Sequence, residues 1–137
     1  MLSTVELEIY IKKSIKDILP KVEIKGINFC VGYNNSPEGT YVFSEDGKYH
    51  FMFTEKGRIS DDKELYDVTE VLLNVLNAVL FDISMEYAIE NRIEGKDFRR
   101  SLFKKEIELF SMFGEDFKQR KSKEIQEILL ENPYEDE

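Results

Sequence analysis

Asp82, Glu86 and Glu90 recur at i, i+4 and i+8, and Arg92, Asp97, Arg99 and Arg100 follow around a break at Gly95. Carboxylates at that spacing stack on one face of a helix. Such a set is open to three chemistries. Paired with guanidinium groups, the acids would lock two helices together through bidentate hydrogen bonds. Left free, they would form an acidic groove for a lysine or arginine of a partner. As an acid and a base they would make a catalytic pair, but no nucleophile or oxyanion donor accompanies them. The acids also continue the helical spacing of Leu72, Val75 and Val79. On that stripe they would be buried and would need partners, because a lone buried carboxylate is very costly. Arg99 and Arg100, just past the break, are placed to fold back and pair with them.

Other residues offer less. A zinc site needs several converging ligands, whereas His50 is the only histidine and Cys30 the only cysteine. His50 reads as a packed sheet residue or a contact on an aromatic patch, and Cys30, in an apolar run, as a buried thiol. No phosphate-loop, dinucleotide or zinc-protease pattern occurs, and no cofactor is expected. Lys118 to Lys123 is a short basic run that reads as a solvated helix face.

The elements that must position these groups are legible from period and punctuation. Ser3 with Glu6 resembles a capping box, and Leu7, Tyr10, Ile11, Ile15 and Ile18 follow at helical spacing until Pro20. Ile27, Phe29, Val31 and Tyr33 alternate with Asn28, Cys30 and Gly32, the period of a strand. Asp46-Gly47 suits a two-residue hairpin turn in which both residues take positive φ, pairing Phe43 with His50 and Val42 with Phe51. Tyr41, Phe43, His50 and Met52 would then share one face and Val42, Tyr49, Phe51 and Phe53 the other. One face must pack on helices; the second is either covered or open to a partner, which makes Tyr41 and His50 candidate contacts.

From Asp61 the period reads as helical, with Asp61 as N-cap, Glu64 at N3 and a stripe from Leu65 through Ile83, running toward Arg92 with a kink near Asn77 or Ser84. Asp61 and Asp62 would be exposed acids near its start. Asp97 can cap a further helix carrying Phe98, Leu102, Phe103, Leu109, Phe110 and Phe113. Gly114 breaks it, and Phe117, Ile125, Ile128 and Leu129 mark a last helix before Pro133. Glu135 to Glu137 reads as a frayed end. The expectation is one α+β domain over 1–137: helix and a small antiparallel sheet with a tight hairpin in 1–60, then three to four helices in 61–134.

Charge narrows the partners. The formal net charge is −9. The excess of acid falls in 61–97 and after residue 123, while 98–123 is basic. Such a surface disfavours nucleic acid and anionic membrane, both polyanions, and fits a basic protein. No apolar run is read as reaching the roughly 20 residues of a membrane span, and no signal peptide is read at the N-terminus, so the cytoplasm is the expected compartment.

The stretches DISMEYAIENRIEGKDFRRSLFKKEIELF (82–110) and KSKEIQEILLENPY (121–134) resemble family sixty-three of the bacterial polymorphic-toxin immunity proteins. The positions that carry the resemblance are Asp82, Glu86, Tyr87, Arg92, Ile93, Gly95, Asp97, Phe98, Arg99, Arg100, Pro133 and Tyr134. The hairpin from Tyr41 to Phe53 matches more loosely. The resemblance implies a protein, not an enzyme, that binds and neutralises a cognate toxin by stoichiometric occlusion. That toxin would be a basic domain, such as a nuclease. Monomer and homodimer both stay open. Two other readings stand beside it: a ligand-binding domain or small enzyme with a polar pocket around Asp82, Glu86 and Arg99, and a generic interaction adaptor.

Overall fold

The computed structural model describes residues 1–137. The order is α1 (Thr4–Ile18), β1 (Ile27–Asn28), β2 (Gly39–Glu45), β3 (Lys48–Glu55), β4 (Arg58–Leu65), α2 (Val68–Glu90), α3 (Phe98–Ser111) and α4 (Glu115–Glu131). The class is α+β. Two compact units divide the chain, Met1–Val75 and Leu76–Glu137.

In the first unit, α1 starts on a complete capping box: Ser3 Oγ accepts from the Glu6 amide and Glu6 accepts from the Ser3 amide. Leu7, Ile11 and Ile15 are fully buried, each worth roughly 1.5–3 kcal/mol. Tyr10, a sequence candidate for that stripe, stays exposed. The sheet order is β1-β2-β3-β4. The β2–β3 hairpin turns on Asp46 and Gly47, with φ of 56° and 74°, and pairs Phe43 with His50 and Val42 with Phe51. A second tight turn at Lys56-Gly57 (φ 52° and 76°) leads into β4.

Both hairpin faces are covered at their centres. On one, Val31 packs on Tyr41, Phe43 and Met52, and a Cβ on Gly32 would stand 2.9 Å from the Tyr41 ring. On the other, Val42 and Tyr49 are buried, and the Tyr49 hydroxyl accepts from the Leu2 amide at 2.9 Å. The segment 29–33 therefore lies over the sheet, not in it. Strand β1 is two residues long and parallel to β2, so the sheet is mixed, not purely antiparallel. Cys30 is exposed, contrary to the buried thiol expected.

Residues 61–65 are strand, not helix. Asp61 and Asp62 pair with Phe53 and Met52 across β3–β4. The helix starts at Val68, where Asp67 Oδ1 accepts from the Glu70 amide at 2.9 Å. Both registers share an acid three residues before another, so the capping signal alone could not separate Asp61-Glu64 from Asp67-Glu70. Pairing to β3 decides it. The resulting edge strand is nearly all charged and exposed, which blocks sheet-to-sheet association.

α2 runs unbroken for 23 residues. It is long and apolar enough to cross a membrane, with a mean hydropathy of 1.5 over its best window, contrary to the expectation from the sequence. Its apolar residues are largely spent on burial: Val71, Leu72, Val75, Leu76 and Leu80 are at most 6 % exposed. In the second unit Ala88, Leu102, Phe103 and Ile125 form a core, with Met85, Phe98, Ile107, Leu129 and Tyr134 packed on it.

Candidate partner-binding surface

The buried positions of α2 shift in phase along the helix, from Val71 and Val75 to Leu80, Ser84 and Ala88. That shift turns Asp82, Glu86 and Glu90 away from the buried side, and all three are exposed. None of them makes a hydrogen bond or an ion pair. They do not extend the buried stripe. One position back at each step lie Phe81, Met85 and Ile89, so an apolar ridge runs beside the acidic one. Phe81 is 43 % and Ile89 63 % exposed, and Ile93 continues the ridge past the helix end at 57 %.

The arginines are spent elsewhere. Arg99 grips Asp97 (Nη2 to Oδ2 2.9 Å) and donates to the carbonyls of Asn132 and Pro133, each at 2.8 Å. Arg100 pairs with Asp136 at 2.8 Å through Nη2, and its guanidinium lies 4.1 Å from the Tyr134 ring centroid. Asp97 Oδ1 also caps α3 by accepting from the Arg99 amide, and Oδ2 accepts from the Glu135 amide. Asp136 returns the contact by accepting from the Asp97 amide, and the Glu137 amide donates to the Gly95 carbonyl. The expected lock between α2 acids and α3 arginines is not formed. The lock joins the start of α3 to the chain's last residues, which are tied down, not frayed. Hydrogen bonds from Arg99 and two backbone amides hold the Asp97 carboxyl well below its ordinary range, and Arg100 holds Asp136 low, at about 2. Arg92 is exposed, with its guanidinium over Phe98 at 5.8 Å. Asp82, Glu86 and Arg99 are thus not brought into one polar pocket.

In the hairpin, His50 is 9 % exposed and lies flat on Phe43, with ring centroids 4.6 Å apart. Its Nδ1 is 3.0 Å from Asp62 Oδ1, while Nε2 is buried without a partner. Tyr41 is buried and donates to the Pro37 carbonyl at 2.6 Å. Neither ring offers the open aromatic patch the sequence allowed. Asp61 is exposed on the edge strand.

Sequence reasoning missed one charged pair. Lys121, expected on a solvated face, is 5 % exposed and meets Glu106 at 3.3 Å and Glu124 at 3.0 Å, with its ammonium 4.8 Å from the Phe110 centroid. Burial raises the Glu106 pKa, against the lowering influence of Lys121. Its signal was present: Lys121 stands four residues after Phe117 and four before Ile125, on the apolar stripe of α4. Beside this pair a cavity of about 270 Å³ opens between α2, α3 and α4.

An α+β scaffold carrying a row of free carboxylates beside exposed apolar side chains belongs to the toxin-immunity class. The chain matches the family model of Immunity protein 63 over residues 45–127, and it is a member of that family. The match takes in α2, α3 and the acidic row, while Tyr41 to Phe43, Pro133 and Tyr134 lie outside it. No curated protein and no solved structure matches the chain.

Proposed function

We propose that this immunity protein binds its cognate toxin domain stoichiometrically in the cytoplasm and occludes the toxin's working surface. The observation that carries this reading is the exposed double ridge of α2. Asp82, Glu86 and Glu90 have no internal partner, so no lysine or arginine must be displaced when a toxin supplies its own. Phe81 and Ile89 beside them supply apolar area that gains from leaving water, at about 25 cal/mol per Å². Free acids next to apolar anchors suit a basic, partly apolar partner. A nuclease with a cationic substrate cleft has that chemistry, and complementary charge steers its approach.

The test is growth rescue on co-expression with the toxin domain encoded beside this chain, scored with complex formation on a sizing column. The wild type is expected to rescue and to co-elute at one-to-one stoichiometry. The triple reversal Asp82→Lys, Glu86→Lys, Glu90→Lys is expected to lose both while keeping its denaturation midpoint, because these side chains hold nothing inside the fold. Full rescue by the triple variant would move the interface off α2. Failure of the wild type in both assays would remove the immunity reading.

A further inference from the structure

The cavity beside the Glu106–Lys121 pair has apolar walls and one idle polar group. Phe81, Phe103, Ile125 and Ile128 line it. Phe81 and Ile128 also stand at the surface, 43 % and 37 % exposed. The charges in its wall are already spent, since the Lys121 ammonium serves both Glu106 and Glu124. An entering charge would have to break that triad, and a buried charge stripped of its partner is costly. Asn77 differs. It lines the cavity, its amide makes no hydrogen bond, and its Oδ1 is closed off from water. An unsatisfied buried acceptor is costly and calls for a donor. The terminal torsion of asparagine is broad, so the amide can turn to meet a group seated beside it.

We infer that this cavity is the receptor for one aromatic side chain of the toxin that carries a single hydrogen-bond donor, a tryptophan or a tyrosine. The inference rests on the immunity reading and deepens it. An indole or phenol ring buries its faces on Phe81, Phe103 and Ile128 and presents its N–H or O–H to Asn77. Aromatic residues of this kind, apolar over most of their surface with one polar tip, are the usual anchors of protein interfaces. Phe81 joins the cavity to the α2 ridge, so an inserted ring would sit at one end of the surface that Asp82, Glu86 and Glu90 offer to basic groups. Ring and basic groups would come from one partner.

The test is an NMR titration of the isolated protein with indole, 1-methylindole and n-butylguanidinium. Indole is expected to give saturable shifts at the Asn77 side-chain amide, Phe81 and Ile128. Its methylated analogue, which lacks the donor, should bind about threefold to tenfold more weakly. Asn77→Leu, close in volume and without the amide, should bring the two indoles to equal affinity. Ile128→Trp, at a half-exposed position that tolerates bulk, should fill the mouth and abolish both. Equal binding of the two indoles to the wild type, absence of saturation, or tighter binding of n-butylguanidinium would overturn the assignment. In the toxin complex, Ile128→Trp should weaken affinity at least tenfold. Unchanged affinity of that variant, with the wild type binding normally, overturns the receptor alone. A wild type that binds indole but no toxin overturns the immunity reading and with it the partner assigned to the cavity.

Discussion

At the scale of single residues, the same side-chain type takes opposite roles according to what its neighbours can satisfy. Asp82, Glu86 and Glu90 stay in water and unpaired, whereas Glu106 is 5 % exposed and depends on Lys121. The dependence is asymmetric. Removing the Lys121 ammonium strands Glu106, while removing the Glu106 charge leaves Lys121 paired with Glu124. Lys121→Met is therefore expected to cost about 3–5 kcal/mol, the range for breaking one partner out of a buried pair. Glu106→Gln should cost clearly less. Urea denaturation of the two variants measures both, and equal losses would show that Glu124 contributes nothing. The spacing of Lys121 with Phe117 and Ile125 was readable in advance. What could not be read was that a facing helix supplies an acid to receive it.

At the scale of elements, the C-terminal segment acts as a strap across the start of α3, held by Arg99, Arg100 and two acids. Asp97 and Asp136 both have pKa values below their ordinary 3.8. A carboxyl depressed in the folded state binds fewer protons folded than unfolded, so its contribution is complete above the ordinary value and is lost as pH falls. Between about pH 4 and pH 2 the strap should therefore detach, with Asp136 released first because Asp97 is held lower. Amide-exchange protection at Glu135 and Glu137 reports the strap directly, through their bonds to Asp97 and Gly95. Arg99→Ala should remove the same protection at neutral pH. Protection that survives both acid and the substitution would show that Tyr134 packing, not charge, holds the segment. Glu106 runs the other way: its raised pKa gives a contribution present below its ordinary 4.5 and lost as pH rises through the folded value. Strap loss and core stability are thus expected to part company on mild acidification.

At the scale of the whole molecule, a net charge of −9 sets the kinetics of meeting a basic partner. Exposed charges act over about 10 Å at 0.1 M salt and about 3 Å at 1 M. The association rate with the toxin should fall roughly tenfold between low salt and 0.5 M, while dissociation, governed by the apolar anchors, changes little. Stopped-flow mixing across that series distinguishes this from a salt-independent encounter, which would mean the acids do not face the toxin.

Much of the fold was legible locally, because local physics decides it. The capping box at Ser3, the positive-φ pair Asp46-Gly47 with its Phe43–His50 register, and the breaks at Gly95 and Gly114 are each specified by residues a few positions apart. The family resemblance was legible in the same way, as a run of residue types. Tertiary structure decided where faces point and which charges meet. Asp61 to Leu65 became a strand because β3 offered a ladder. The burial of α2 changed phase because periodicity shows which residues share a face, not which face is covered. Arg99 and Arg100 found partners 33 to 36 residues away in the chain. Such pairings are set by packing over long separations, and no local pattern records them.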